Sequence, residues 1–301
     1  MPSLQTPTQC LRIVSKPGSN KFPGKIHQVS RRNWHRTSGN TRATSLWALM
    51  SITASATNEP TRHQQSECSA LVPYVPSPLQ GMHARTLVYQ FPAMDLTIDL
   101  AQRFGEEGIG VGGAAWPAGY VLAEYMSRRP SIPPDADDVF DWTNKRVVEL
   151  GAGLGLVSIV AALLGADVVA TDGVEGVLPV MRENVQKHTA AAKHAVNCTL
   201  LSWGEEADET RILADGVDVV LAADVVYGDK VHIWKKLLKT INRLTDPSTM
   251  ILFAHFSRYP DKERHFFRLL DAGYHRTAIE RSQLASGNAK TNIYILRKKS
   301  A

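Results

Sequence analysis

An acidic residue at the end of a predicted strand is the first candidate for ligand binding. Asp172 ends this strand and stands 21 residues after Gly151, the first glycine of a glycine-rich turn. In doubly wound α/β folds, a carboxylate at about this distance accepts hydrogen bonds from the ribose hydroxyls of a bound nucleoside. Capping of the following helix is the alternative role for Asp172. Because the strand end and the spacing agree, we favour ribose binding.

A second candidate pair follows a later predicted strand. Asp224 and Tyr227 lie three residues apart just past its end, so both are expected to face the mouth of the pocket. One could position a nucleophile or hold a ligand's amino-acid moiety, and a phenol can accept a hydrogen bond from an amine. A capping Asp224 and a buried Tyr227 are the alternatives, which the other motifs make less favourable.

Two tryptophans could provide a platform for a nucleobase. Trp203 follows the third predicted strand of the sheet, at the edge where α/β folds bind ligands. Trp116 opens a helix that precedes the sheet. Stacking of a base on an indole contributes about 1–3 kcal/mol. Each tryptophan could equally be a core or lid residue.

The glycine-rich turn distinguishes between kinds of nucleotide pocket. Gly151, Gly153 and Gly155 follow a predicted buried strand and allow the backbone to turn tightly and approach a ligand closely. The dinucleotide pattern requires Gly or Ala where this chain has Leu156, and Glu149 stands two residues before the first glycine. Such a run resembles the first motif of class I S-adenosylmethionine-dependent methyltransferases. A nicotinamide or flavin site and a purely structural turn are the alternatives.

Alternating strands and helices position these residues. The pattern predicts an α/β fold with a doubly wound, mostly parallel seven-stranded sheet, after a small N-terminal hairpin (86–91 and 96–100) and a helix (116–126). Predicted strands of the sheet cover 146–150, 167–171, 197–202, 217–222, 250–255, 276–281 and 292–297, and predicted helices cover 156–164, 176–188, 230–244 and 261–272.

Composition excludes several other classes of protein. With 301 residues and 44% hydrophobic residues, the chain suits a globular protein, and no run approaches the ~20 apolar residues of a membrane span. The three cysteines are far apart, which argues against a disulfide scaffold or a zinc site, and we expect no metal. Eight of the 34 basic residues lie in residues 1–58, which contain no acid. The rest of the chain has 26 basic and 29 acidic residues and therefore no excess of positive charge, which argues against a nucleic-acid substrate.

The N-terminal region is predicted to be a separate segment. Residues 1–80 form a basic, Ser- and Thr-rich tail that we expect to be disordered, and residues 85–299 form the folded domain. The tail has the composition of an organelle transit peptide. A solvated tail, or a true start near Met50, is the alternative. We expect a cytoplasmic or nuclear protein, or an organellar one if the tail is a targeting signal.

Five motifs in order resemble the methyltransferase-like 21 type of protein-lysine methyltransferases. They are Trp116-Pro-Ala, the run 148–156, Asp172 with 177–184, Leu201-Ser-Trp-Gly204 and Asp224-Val-Val-Tyr227, and the resemblance covers roughly residues 85–299. It implies S-adenosylmethionine as the cofactor and a lysine side chain of a non-histone protein as the acceptor. It also implies that Asp224 and Tyr227 are catalytic and that the cofactor is bound by Trp116, Glu149, Gly151, Ala152, Gly153, Asp172, Trp203 and Ala223.

The acceptor is the less defined half of this hypothesis. Relatives often have a tyrosine or an acid near the end of the fifth strand, where this chain has Ala254-His-Phe-Ser-Arg258. His255 could be a core histidine or a base. A small-molecule methyltransferase and a catalytically inactive S-adenosylmethionine-binding module are the competing functions. We expect a monomer with a protein partner and with no nucleic acid or membrane.

Overall fold

Two β-sheets organise the protein. The computed structural model describes residues 84–130, 132, 139–228, 230–284 and 290–300, so the predicted tail, residues 1–80, lies outside the described residues. The smaller sheet is the predicted hairpin, in which β1 (Thr86–Phe91) pairs antiparallel with β2 (Leu96–Ala101). A short 3-10 turn, Pro92–Met94, joins the two strands.

The larger sheet has seven strands in the order β5-β4-β3-β6-β7-β9-β8. Of the seven strands, β9 alone runs opposite to the other six, which confirms the predicted doubly wound, mostly parallel sheet. The chain moves outward from β3 to β5 and then returns to the other side of β3, which makes β3 the switch point where such folds bind ligands. The strands are β3 (Arg146–Leu150), β4 (Asp167–Asp172), β5 (Asn197–Leu200), β6 (Val219–Ala223), β7 (Met250–Phe256), β8 (Tyr274–Ala278) and β9 (Thr291–Lys298).

Helices cover both faces of this sheet. Successive strand residues point to opposite faces, so Val147 and Val148 of β3 belong to two different buried clusters. One cluster contains residues of α1, α2 and α3, and the other contains residues of α4, α5 and α6. The helices are α1 (Pro117–Ser127), α2 (Leu156–Leu163), α3 (Leu178–His188), α4 (Glu206–Leu213), α5 (Val231–Leu244) and α6 (Pro260–Gly273).

Several element bounds differ from those that the sequence predicts. Helix α4 was not predicted, because half of its eight residues are charged and it buries only Glu209 and Ile212. Strand β6 begins two residues later than predicted, where pairing with β3 begins, and β5 ends two residues earlier. A 3-10 turn, Glu175–Val177, replaces the predicted first turn of α3. Strand β8 begins two residues before the predicted range, directly after α6.

One buried side chain ties the hairpin to the sheet. Asn184 of α3 is 1% exposed, and its Oδ1 accepts a hydrogen bond from the Ala101 N–H at 2.8 Å. Its Nδ2 donates to the carbonyl oxygens of Ala101 and Leu154, both at 3.1 Å. Leu154 belongs to the glycine-rich turn, so Asn184 holds that turn and the end of β2 together.

Replacement of Asn184 by alanine should strongly destabilise the fold. The change leaves a buried N–H without a partner and removes a donor from two carbonyl groups, which costs about 2–4 kcal/mol of unfolding free energy. Urea unfolding followed by circular dichroism measures this loss. The matched control is Asn242→Ala, at an exposed position of α5, which should change stability by less than about 0.5 kcal/mol. Equal midpoints for the two variants would contradict the structural role of Asn184.

Candidate functional site

The glycine-rich turn lies directly after β3, at the switch point of the sheet. Gly151, Gly153 and Gly155 have φ angles of 65°, 54° and 86°, in the left-handed region that favours glycine. The N–H of Ala152 donates to the carbonyl oxygen of Thr171 at 2.8 Å, which attaches the turn to β4. The predicted tight turn therefore exists, and its backbone geometry requires the glycines.

Asp172 closes this turn from the end of β4. Its Oδ2 accepts a hydrogen bond from the Gly153 N–H at 3.1 Å, and its Oδ1 accepts one from the Val174 N–H at 2.9 Å. Burial raises the pKa of the carboxyl group, and the N–H donors of Val174 and Gly153 oppose that shift. Helix α3 begins only at Leu178, so Asp172 does not cap it. Each carboxylate oxygen keeps a lone pair for a ligand hydroxyl.

A segment before α1 lies over the turn. A 3-10 helix, Gly110–Gly113, places the carbonyl oxygen of Gly112 only 3.2 Å from the position of a Cβ at Gly153. The same segment reaches Asp172, whose Oδ2 lies 3.7 Å from a Cβ position at Gly112. Trp116 attaches to this segment, because its Nε1 donates to the carbonyl oxygen of Val111 at 3.0 Å. The sequence did not predict this helix, since it contains three glycines and one valine.

Trp203 packs against the turn, and Ala223 ends the strand β6 that pairs with β3. The Cζ2 atom of Trp203 is 3.4 Å from a Cβ position at Gly151, so the indole packs against the glycine backbone. Trp203 and Trp116 are both half-buried. Ala223 ends β6 and pairs with Ala254 of β7. The structure thus brings the tryptophans and Asp172 to one turn, as the motif order predicts.

Glu149 lies beneath the turn. It is 2% exposed, and Ser158 of α2 donates a hydrogen bond from its hydroxyl to Glu149 Oε2. Burial raises the pKa of Glu149 to about 8, the hydrogen bond from Ser158 opposes this shift, and the charge of Asp172 adds to it. The structure therefore places this carboxyl group in the core against α2, whereas the sequence places it on the lining of the pocket.

The Asp224 and Tyr227 pair is divided between the interior and the surface. Asp224 follows β6 with a φ angle of 60°, its N–H donates to the Ala254 carbonyl oxygen at 2.9 Å, and the residue is 8% exposed. Both oxygens of its carboxylate accept hydrogen bonds from Arg258 at 2.7 Å. Tyr227 is 52% exposed. Both were expected at the mouth of the pocket, but only the tyrosine is open to solvent.

Arg258 is the residue of this site that sequence reasoning missed. Its guanidinium carbon lies 5.2 Å from the ring centroid of Trp116 and 4.9 Å from that of Phe256. It thereby joins the loop after β7 to Asp224 and to the start of α1. The signal in the sequence was a cation just past a predicted strand end. Its partner could not be inferred, because Asp224 lies 34 residues earlier in the chain.

His255 is a core residue, the first of its two predicted alternatives. It is 1% exposed, and its ring lies 5.4 Å from the ring of Phe267 of α6. Its Nε2 is 3.2 Å from Glu263 Oε2. The side chain therefore packs between β7 and α6, away from the glycine-rich turn.

The chemistry of the site suits a nucleoside with an aromatic base. Asp172 offers carboxylate oxygens to hydroxyl groups, and Trp116 and Trp203 offer aromatic surface beside the same turn. In the described part of the chain, no cluster of three or more His, Cys, Asp or Glu side chains could hold a metal ion. The helices of the described residues include none long and apolar enough to cross a membrane.

Comparisons with known proteins identify the family of this chain. A model of the lysine methyltransferase family matches residues 94–272, which include the whole site. Protein N-lysine methyltransferase METTL21A of Danio rerio is 34% identical over 204 residues, which cover 66% of this chain and 85% of that protein. EEF1A lysine methyltransferase 3 of Mus musculus is 33% identical over 205 residues, 66% of this chain and 78% of that protein. Protein-lysine methyltransferase METTL21E of Mus musculus is 36% identical over 157 residues, 52% of this chain and 60% of that protein.

The raised pKa of Glu149 predicts a dependence of stability on pH. Between its ordinary pKa of 4.5 and about 8, the folded protein holds a proton on Glu149 that the unfolded chain releases. The unfolded chain therefore binds fewer protons, and the stability that Glu149 contributes falls as pH rises through this range. Glu149→Gln cannot ionise, so its unfolding free energy relative to the wild type should increase from about pH 5 to about pH 8. Urea unfolding across this range measures the difference.

The control for this prediction is an exposed acid. Glu107→Gln changes a solvent-exposed carboxyl group, so its stability relative to the wild type should stay constant with pH. A constant difference for Glu149→Gln as well would show that Glu149 ionises normally in the folded protein.

Proposed function

This chain belongs to the lysine methyltransferase family, and we propose that it transfers a methyl group from S-adenosylmethionine to a lysine side chain of a non-histone protein. One observation supports the proposal most strongly. The carboxylate of Asp172 is bonded to the positive-φ glycine turn at the switch point of the sheet, and the Asp224 and Tyr227 motif follows the adjacent strand β6. A nucleoside donor and an amine acceptor can therefore meet at one edge of the sheet.

The residues present fit this cofactor. A Cβ at Gly151 would meet Val225 and Trp203, and one at Gly153 would meet Gly112. Only glycines therefore let Trp203 and the segment Gly110–Gly113 pack this closely against the turn beside Asp172. We propose that Asp172 binds the ribose and that Trp116 and Trp203 contact the adenosyl group. Ala152 and Ala223 would line the same pocket, and Glu149 would support the turn from below. S-adenosylmethionine supplies an electrophilic methyl group on a positively charged sulfur.

The acceptor side has to present a neutral amine. A free lysine has a pKa of about 10.4, and only the neutral amine has a lone pair for attack. The protein must hold that nitrogen about 3 Å from the methyl carbon, in line with the bond to sulfur. Tyr227 is half exposed beside the site, so its hydroxyl can accept a hydrogen bond from the amine and orient it. Water can receive the proton before transfer, so a dedicated strong base is not required.

The names of the relatives bear on the acceptor. EEF1A lysine methyltransferase 3 is named for a protein substrate, and the two METTL21 proteins are named as protein-lysine enzymes. We propose the same class of acceptor here, a lysine in a protein. The half-exposed Tyr227 is accessible from solvent, as a site that receives a lysine of another protein must be.

Replacement of Asp172 by alanine should mainly weaken cofactor binding. Loss of hydrogen bonds between a carboxylate and ribose hydroxyls costs about 1.5–3 kcal/mol, so the Kd for S-adenosylmethionine should rise by tenfold or more. Isothermal titration calorimetry measures this change. The control is Asp246→Ala, which also removes a carboxylate bonded to two backbone N–H groups, those of Ser248 and Thr249, in the loop before β7. That loop lies at the opposite edge of the sheet, so the Kd of Asp246→Ala for S-adenosylmethionine should match that of the wild type. An unchanged Kd in Asp172→Ala would disprove the ribose assignment.

The function itself is tested by labelling a cell extract. The recombinant protein is incubated with S-adenosylmethionine carrying a labelled methyl group, and mass spectrometry locates the label. Label on lysine side chains of one or a few proteins is expected. Label only in small metabolites would favour a small-molecule methyltransferase, and cofactor binding without any transfer would indicate an inactive binding module.

Tyr227→Phe should reduce this labelling. Loss of one hydrogen bond to the amine in the transition state costs about 1 kcal/mol, so kcat should fall about fivefold while the Kd for the cofactor stays unchanged. Initial rates with the modified protein segment measure kcat. The control is Tyr294→Phe, which removes a hydroxyl from a half-buried tyrosine of β9 that packs against Arg276, outside the site, and it should leave kcat unchanged. Equal rates for the wild type and Tyr227→Phe would exclude a role for this hydroxyl.

A further inference from the structure

The ion pair between Asp224 and Arg258 lies directly after β6, at the strand end where the proposed function places the acceptor. Asp224 is 8% exposed, and each of its carboxylate oxygens accepts one hydrogen bond from the guanidinium at 2.7 Å. The same guanidinium lies over the rings of Trp116 and Phe256 and donates to the Phe256 carbonyl oxygen at 3.2 Å. Arg258 is therefore fixed on several sides, and Asp224 is fixed by Arg258.

An unpaired carboxylate at this position would oppose the reaction. A nearby negative charge stabilises the protonated form of an amine, and little water is present to screen a buried charge. A lysine that entered beside a free Asp224 would form an ion pair with it and keep its proton. A protonated nitrogen has no lone pair for attack on the methyl group.

We infer that Arg258 is a positioning residue that orients Asp224 and cancels its charge, so that the acceptor lysine binds at this site as a neutral amine. This inference rests on the proposed function. In this arrangement the two oxygens of Asp224 are held in place by Arg258, and Asp224 does not itself take the proton from lysine. Arg258 acts through Asp224 and needs no contact with the acceptor.

The other charged groups around the pair do not replace Arg258. From α6, Glu263 faces the backbone of the Arg258 loop, and its Oε1 accepts hydrogen bonds from the N–H groups of Arg258 and Tyr259 at 2.7 Å. Its Oε2 accepts a hydrogen bond from the Ser257 hydroxyl at 2.6 Å and lies 3.2 Å from Nε2 of His255. From β4, Asp172 adds a second negative charge near Tyr227. The phenol of Tyr259 is a further titratable group near Arg258.

An arginine suits this role better than a lysine. Its planar guanidinium donates two parallel hydrogen bonds to one carboxylate and stacks on aromatic rings, whereas an ammonium group does neither with the same geometry. The separate effects of charge and orientation can therefore be distinguished by substitution. Arg258→Gln removes the charge, and Arg258→Lys keeps the charge but loses the paired hydrogen bonds.

The test measures kcat and KM against pH with the protein segment that mass spectrometry identifies as the acceptor. The rate of the wild type should rise with pH until the bound amine is neutral. In Arg258→Gln the free carboxylate holds the amine protonated, so the midpoint of this rise should move up by about one pH unit, and kcat below the midpoint should fall about tenfold. KM should fall or stay unchanged, because the ammonium form binds well. Arg258→Lys should keep the wild-type midpoint with a lower plateau.

Asp224→Asn should shift the midpoint of the pH dependence in the opposite direction. It leaves Arg258 as an uncompensated cation, which disfavours the ammonium form, so the midpoint should move below that of the wild type. The matched control is Arg276→Gln, which breaks a similar two-hydrogen-bond pair with Asp271, stacked on Phe267 and Tyr294 away from the site. It should leave the pH profile unchanged.

Two results would overturn the inference. One is an unchanged midpoint in both Arg258→Gln and Asp224→Asn, and the other is a shift of both midpoints in the same direction. If Arg258→Gln does not fold, Asp224→Asn and Arg258→Lys decide the question. A charge effect predicts a lowered midpoint for Asp224→Asn and an unchanged one for Arg258→Lys, whereas a loss of orientation alone predicts no difference between the two midpoints. A wild-type protein that transfers no methyl group would instead contradict the proposed function.

Discussion

The hydrogen bond from the Gly153 N–H to the carboxylate of Asp172 is the interaction on which the site depends. It joins the turn after β3 to the end of β4. Gly151 and Gly153 adopt positive φ in the turn from which the Gly153 N–H reaches the end of β4. The switch point of a parallel sheet opens a crevice at this edge. This bond fixes the turn against which Trp203 and the segment Gly110–Gly113 pack.

Local patterns allowed much of this to be predicted from the sequence. Strands of a buried parallel sheet are nearly all apolar, and six of the seven lie within two residues of their predicted starts and ends. The exception is β8, a mostly exposed edge strand with no apolar run. Helix α4 was missed for a similar reason, since it buries one apolar residue and one acid. Periodicity detects burial, so elements that bury little escape it.

The contacts that complete the site were beyond such reasoning. Asn184 ends a recognised motif, but its partners Ala101 and Leu154 lie 83 and 30 residues away in the chain. Arg258 reaches Asp224 across 34 residues and Trp116 across a larger distance in sequence. No local pattern encodes which distant groups a side chain meets. Residue types at strand ends therefore predict where a site lies, whereas the long-range contacts of the folded chain determine which of these side chains can still bind a ligand.

Three buried carboxyl groups at one edge of the sheet differ in their partners, and these partners determine the charge that each one carries. Glu149 is surrounded by the core, and burial raises its pKa to about 8, which favours its neutral form. Asp172 is bonded to backbone N–H groups, which favour its charged form and leave lone pairs for a ligand. Asp224 shares its charge with a guanidinium. Three free carboxylates in this space would repel one another and hold any nearby amine protonated. Because each has a different partner, Asp172 is the one of the three carboxylates that keeps its charge without a cationic partner, and little net negative charge accumulates at this edge of the sheet.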